Sequence, residues 1–221
     1  MNHSTTSRFI TFEGGEGAGK STQLRWLASS FAQAGIGAVT TREPGGSPGA
    51  EAIRNMVVTG ATDAWDATTE SLLFMAARHD HLQRTVLPAL AAGNWVLCDR
   101  FYDSTYVYQG VAKKVGTEWL DQLYRQLFGN FAPAYTLLLD LPPQVGLGRA
   151  GARGNDAESR FERMGIDYHE RLRAAFLARA AANPQRIAVI DASQSAEAVH
   201  AQIVAGVNAR FGLALAVQHP A

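Results

Sequence analysis

The stretch TFEGGEGAGKST, Thr11 to Thr22, decides how the rest of the chain is read. It lies between an apolar run, Phe9–Glu13, and a segment of helical period starting at Lys20. Gly14, four residues, then Gly19, Lys20 and Ser21 satisfy the spacing G-x-x-x-x-G-K-[ST]. In that strand, turn and helix context, backbone N–H groups of Glu16, Gly17, Ala18, Gly19, Lys20 and Ser21 wrap a β-phosphate. Lys20 reaches the β- and γ-phosphates, and the Ser21 hydroxyl suits Mg²⁺. One residue is out of place on this account. Glu16 puts a carboxylate into a loop built to hold an anion.

Working outward, short β-rich runs alternate with longer helical stretches, the pattern of an α/β protein whose parallel sheet is covered by helices on both faces. Strands are expected at Phe9–Glu13, Gly37–Thr41, Trp95–Asp99, Tyr135–Asp140 and Arg186–Ile190. Helices are expected at Lys20–Ala34, Gly49–Thr59, Ala67–Ala92, Thr117–Phe128, Pro142–Arg153, Ser159–Ala182 and Ser195–Arg210. Gly35 and Gly93 stand where two of these should stop. Over 221 residues with 47% hydrophobic content and no linker-like tract, this reads as one domain, 1–221, with a frayed start over 1–7. The segment GARGNDAES, Gly151 to Ser159, is small, polar and charged, the composition of a flexible lid over about 150–160.

Formal net charge is zero, which supplies no long-range pull toward nucleic acid or an anionic membrane. Cys98 is the one cysteine, so no internal disulfide forms. Without an apolar run of membrane-spanning length or an export leader, the expectation is a cytoplasmic protein.

A phosphate loop alone does not separate switches, motors and kinases. A transferase needs a second anion site facing the first, and arginines mark one. Arg42 and Arg100 follow two of the expected strands, at the carboxyl edge where ligands sit in such sheets. Arg54 and Arg78 lie on helices, where a phosphate contact and a structural role are both open. Asp99 and Asp140 each end a strand and compete as the carboxylate for Mg²⁺; Asp99 is favoured because Arg100 follows it. Arg149 and Arg153 share a helix face running into the lid, with Arg160 just beyond. They suit either a cis-acting arginine finger or a solvated face paired with Asp156, Glu158 or Glu162.

FEGGEGAGKST, TREPGG, LLFMAAR, DRFYDSTYVYQG, LLLDLPPQVGLGRAGARG and a late IDAS, in this order from Phe9 to about Ala192, resemble bacterial thymidylate kinase. The resemblance implies a three-layer P-loop kinase fold with a five-stranded parallel sheet, a homodimer, and transfer of the γ-phosphate of MgATP to dTMP. It implies an ATP site made by Gly14, Gly15, Glu16, Gly17, Ala18, Gly19, Lys20, Ser21, Thr22 and Arg149. Phe74 matches the aromatic that stacks on thymine and Arg78 the arginine at the base. Ser104 and Thr105 match the polar pair at the pyrimidine edge, Tyr108 the tyrosine that crowds a ribose 2′-OH, and Gln109 its neighbour. Arg42, Arg54 and Arg100 would hold the acceptor phosphate, with Ser21 and Asp99 at the metal.

Glu16 then serves the acceptor, taking a hydrogen bond from its 3′-OH. Because Gly17 follows that acid, the resemblance places the catalytic arginines in the lid, as Arg153 and Arg160 beside Lys20, Arg100 and Glu16. Two positions depart from the family pattern: Gly151, often Arg, and Phe101, usually Tyr or His. A kinase for another nucleotide would keep the donor loop and change the pocket around Phe74, Arg78, Thr105 and Tyr108. A guanine-reading switch would need N-K-x-D, which is absent.

Overall fold

In the computed structural model, which describes residues 5–152 and 160–218, five parallel strands form one sheet in the order β2-β3-β1-β4-β5. The strands are β1 Phe9–Glu13, β2 Ala38–Arg42, β3 Trp95–Asp99, β4 Tyr135–Asp140 and β5 Ile187–Asp191. β2 and β5 each start one residue later than the sequence suggests. Nine α-helical segments occur among the described residues: α1 Lys20–Gln33, α2 Pro48–Val58, α3 Ala67–His81, α4 Leu87–Ala91, α5 Tyr102–Thr105, α6 Thr117–Phe128, α7 Pro143–Gly151, α8 Ile166–Ala182 and α9 Ala196–Phe211. Part of the frayed start expected over 1–7 lies outside the described residues, and Thr5–Arg8 form a 3₁₀ turn.

The sheet builds two cores because strand side chains alternate. On one face Ile10, Phe12, Leu97, Leu137 and Leu139 meet Leu27 and Phe31 of α1 and Ile203 and Val207 of α9. On the other, Phe9, Val96 and Cys98 meet Met75 of α3 and Leu120, Tyr124 and Phe128 of α6. Leu138 and Ile187 pack with Leu172 and Phe176 of α8. β1 is central, fully buried and flanked by β3 and β4, with Phe12 opposite Asp99 across one pair and Leu137 across the other. The strand order reverses beside it, so the crevice opens at its carboxyl end.

Two sequence expectations need correction. The helix expected over Ala67–Ala92 is α3 and α4 joined by a π-helical segment, Leu82–Val86. The helix expected from Ser159 starts at Ile166, after Gly165, and residues 153–159 lie outside the described residues. One element was not expected at all. After β3 the chain makes α5 and a π-helical segment, Tyr106–Ala112, in a stretch of β-branched, aromatic and glycine residues with low helix propensity. Tertiary bonds hold it: the Tyr102 hydroxyl donates to Asp121 at 2.6 Å, and Asp103 accepts from Arg179 at 3.0 Å and Arg186 at 2.6 Å.

The phosphate loop sits against α7 backbone to backbone. A Cβ on Gly17, whose φ is +68°, would stand 1.9 Å from the Gly146 carbonyl oxygen, and one on Gly146 would stand 2.3 Å from that of Glu16. Gly146→Ala therefore cannot be accommodated without moving the loop or the helix. We expect it to cost about 1–3 kcal/mol of stability in denaturant titrations, whereas Gly148→Ala, where a Cβ meets nothing within 4 Å, leaves stability level or higher.

Candidate active site

The carboxyl ends of β1, β2 and β3 open into one cleft of about 530 Å³. Its lining includes Glu16, Gly17, Gly19, Lys20 and Ser21 from the loop, Arg42 and Arg54, Phe74 and Arg78, Asp99 and Arg100, and Ser104, Thr105, Tyr108 and Gln109. Residues scattered over the sequence are thus gathered on one surface.

At the donor end α1 begins directly after Gly19, whose φ of +90° only glycine adopts readily, and its first turn faces the cleft. Lys20 Nζ donates to the carbonyls of Gly14 at 3.1 Å and Gly15 at 2.6 Å. Burial and the nearby Arg100 hold its pKa down to about 8, against the pull of Asp99 and Glu16. Ser21 Oγ donates to Asp99 Oδ2 at 2.6 Å, which puts two oxygen ligands of the kind Mg²⁺ takes side by side. Asp140 is engaged elsewhere, accepting both arms of Arg173 at 2.7 and 2.8 Å, and does not line the cleft.

At the acceptor end Arg100 has φ +67°, an unusual conformation for a residue with a side chain. Its guanidinium donates to Gly14 O at 2.9 Å, Ser104 Oγ at 3.0 Å and Glu16 Oε1 at 3.3 Å, and lies 5.1 Å from the Tyr108 ring centroid. Glu16 Oε1 also accepts the Tyr108 hydroxyl at 2.5 Å, and His169 Nδ1 approaches Oε2 at 3.3 Å. Burial works against the Glu16 charge, but His169, Arg100, Lys20 and Tyr108 outweigh it and hold the pKa at about 2. The acid in the loop is thus neutralised mainly by side chains from outside the loop, with Lys20 adding to them.

Arg78 is 1% exposed. It donates to Glu43 at 2.8 Å and Thr105 Oγ1 at 3.0 Å, and its guanidinium stands 5.0 Å from the Phe101 ring. Arg42 pairs with Glu51 at 3.0 Å, and Arg54 donates to Pro44 O at 2.8 Å. Arg149 donates to Ala192 O at 3.3 Å, which joins α7 to the chain after β5.

Gly14 and Gly15 line a smaller space behind the loop, Ala18 is buried, and neither Thr22 nor Arg149 lines the cleft. Nor does Arg160, which is 1% exposed and donates to the carbonyls of Val57, Ala61 and Thr62 and to Glu70. Arg153 lies outside the described residues.

Several participants carry no sequence signal strong enough to single them out. Glu43, within TREPGG, accepts from Arg78 and faces His81 at 3.0 Å. Glu13 accepts Phe101 N at 2.8 Å and Ser104 Oγ at 2.6 Å, shaping the turn after Arg100; burial and Asp103 push its pKa up to about 7. Phe161 faces Phe74 across 6.5 Å and Tyr108 across 5.6 Å.

The thymidylate kinase family model matches residues 12–203. A thymidylate kinase of Caulobacter vibrioides is 53% identical over 209 residues, covering 95% of this chain and all of that protein. One from Magnetococcus marinus is 50% identical over 204 residues, 92% of this chain and 97% of that protein. The chain belongs to the thymidylate kinase family. It is an ATP-dependent nucleoside monophosphate kinase. A crystal structure of thymidylate kinase from Ehrlichia chaffeensis, 30% identical, superposes with a TM-score of 0.72 over 90% of this chain and 97% of that one.

The Glu16 environment has a measurable consequence. A carboxylate held at about 2 against an ordinary 4.5 stabilises the fold above pH 4.5, by on the order of 3 kcal/mol, and that contribution fades as pH falls through 2. Glu16→Gln removes the titration. In denaturant titrations the stability gap between wild type and variant should be widest above pH 4.5 and narrow steadily below it; a gap that is level with pH contradicts the assigned environment.

Proposed function

We propose that the protein transfers the γ-phosphate of ATP to dTMP, giving ADP and dTDP. What carries the reading is one cleft in which the phosphate loop faces three arginines, Arg42, Arg54 and Arg100, and a pocket containing Phe74, Arg78, Thr105, Tyr108 and Gln109. An oxygen of the acceptor phosphate attacks the γ-phosphorus, a P–O bond forms, and the bond to the β,γ-bridging oxygen breaks with its electrons leaving on ADP. A phosphate monoester is largely a dianion at neutral pH, so no strong base is needed. The protein positions the reactants and neutralises charge.

In this reading Lys20 and the loop N–H groups hold the donor, and Arg42, Arg54 and Arg100 aim the acceptor phosphate. Phe74 stacks on the base while Arg78, Ser104, Thr105 and Gln109 meet its edge. Tyr108 stands where a ribose 2′-OH would project, and Glu16 accepts the 3′-OH. Ser21 and Asp99 would hold Mg²⁺, which neutralises the β- and γ-phosphate charge when bound. Arg149 and residues 191–194 would enclose adenine. Arg153 would bring positive charge over the transferring group, whereas Arg160, held by Glu70 and by the carbonyls of Val57, Ala61 and Thr62, stays outside the cleft and does not act on it. The protein works as a homodimer in the cytoplasm; among the described residues no helix is long and apolar enough to cross a membrane.

ADP formation with MgATP and a panel of dTMP, dUMP, UMP, dCMP, AMP and GMP tests the assignment. Strong stimulation by dTMP and little by UMP is expected; equal ADP release without acceptor overturns the transferase reading. Arg100→Lys, which keeps charge but loses the fork, should lower kcat/KM for dTMP by about 100-fold or more while leaving the KM for ATP within a few-fold.

A further inference from the structure

Glu70, in the first turns of α3, is completely buried and has three donors on its carboxylate. Gln109 Nε2 donates to Oε1 at 2.8 Å, while Lys113 Nζ at 2.8 Å and Arg160 at 2.5 Å donate to Oε2. No sequence motif pointed to it, and the phosphoryl-transfer mechanism does not use it. Its partners come from three places: the π-helical segment Tyr106–Ala112, Lys113 just after it, and Arg160, which is anchored on the carbonyls at the end of α2 and beyond.

We propose that Glu70 is a positioning residue that sets acceptor-base selectivity by fixing the amide of Gln109. The argument is one of donor and acceptor inventory. A carboxylate with two cationic donors on it acts as an acceptor at each contact, so the amide group facing it must be the NH₂ end. The carbonyl end of Gln109 is then left for the cleft that Gln109 lines. An amide oxygen held there accepts a hydrogen bond and cannot donate one. A pyrimidine that carries N3–H, such as thymine, satisfies it; cytosine presents an N3 lone pair and is repelled. Arg160 and Lys113 keep the carboxylate from rotating toward other donors, and Gln109 itself is 1% exposed, so its amide is held among protein groups on the Glu70 side.

This rests on dTMP as acceptor, and the experiment keeps the two claims apart. Steady-state kinetics at saturating MgATP are measured for wild type, Glu70→Gln and Glu70→Asp with dTMP and with dCMP. Gln at position 70 can donate as well as accept, which frees the Gln109 amide to turn over. The expected result is a fall of at least tenfold in the ratio of kcat/KM for dTMP over dCMP, carried by acceptor KM, with the KM for ATP within about threefold. Loss of activity toward both acceptors in equal proportion, or an unchanged ratio, overturns the proposal, because a merely structural role has no reason to distinguish the bases. Should Glu70→Gln fail to fold, Glu70→Asp keeps the buried charge but draws the carboxylate back from its donors, Gln109 among them, and its ratio is read the same way. Wild-type enzyme that does not prefer dTMP to dCMP would instead remove the acceptor assignment itself.

Discussion

The guanidinium of Arg100 is the interaction on which the cleft depends. β1 and β3 are neighbours in register, so the turn after β1 and the turn after β3 leave the sheet side by side. Arg100 uses that adjacency: it donates into the phosphate loop at Gly14 O, to the loop acid Glu16, and to Ser104 on the element that follows. A left-handed backbone at a residue with a side chain is unfavourable by about 1–3 kcal/mol, and three hydrogen bonds with a stacked tyrosine offset it. Glu13 completes the turn from below by accepting two backbone N–H groups and the Ser104 hydroxyl. The phosphate loop, Arg100 and the element that carries Ser104 are therefore one bonded unit rather than three neighbouring features.

That unit explains how a carboxylate is tolerated in an anion-binding loop. Glu16 is nearly enclosed, and burial alone would push its proton on; its surroundings reverse the sign. The Tyr108 hydroxyl, Arg100 and His169 all approach the carboxylate from outside the loop. Oε1 takes the Tyr108 hydroxyl and Arg100 while Oε2 lies buried beside His169, so the charge is balanced by side chains from three other parts of the chain.

Much of the fold was legible because periodicity reports burial: all five strands and the ends of α1, α6 and α9 lie within a residue or two of where the pattern puts them. The misses have physical causes. Residues 102–112 are poor helix formers, and their helix exists through Asp103, Arg179, Arg186 and Asp121, partners distant in sequence. In the site, the loop, Arg42, Phe74, Arg78, Asp99, Arg100 and Tyr108 stand in recognisable motifs, which is why they could be named, and they are found on one cleft. Glu13, Glu43, Glu70 and His169 could not be named, since each acts on another side chain and a lone acid or histidine carries no spacing. Asp99 and Asp140 look alike in sequence and differ in their partners: Asp99 meets Ser21, whereas Asp140 is paired with Arg173.

The same packing limits where further positive charge can come from. Gly17 follows the loop acid, and the space in which its Cβ would stand is filled by the Gly146 carbonyl of α7. With φ at +68° and a backbone oxygen 1.9 Å from that Cβ, no side chain fits at position 17, so the loop cannot supply an arginine of its own. Lys20, inside the loop, is already bound to two of its carbonyls, and Arg100 is bonded to Gly14, Ser104 and Glu16. Any further cation at the loop would therefore have to come from another element. The backbone contact that excludes a side chain from Gly17 is also what seats α7 against the phosphate loop.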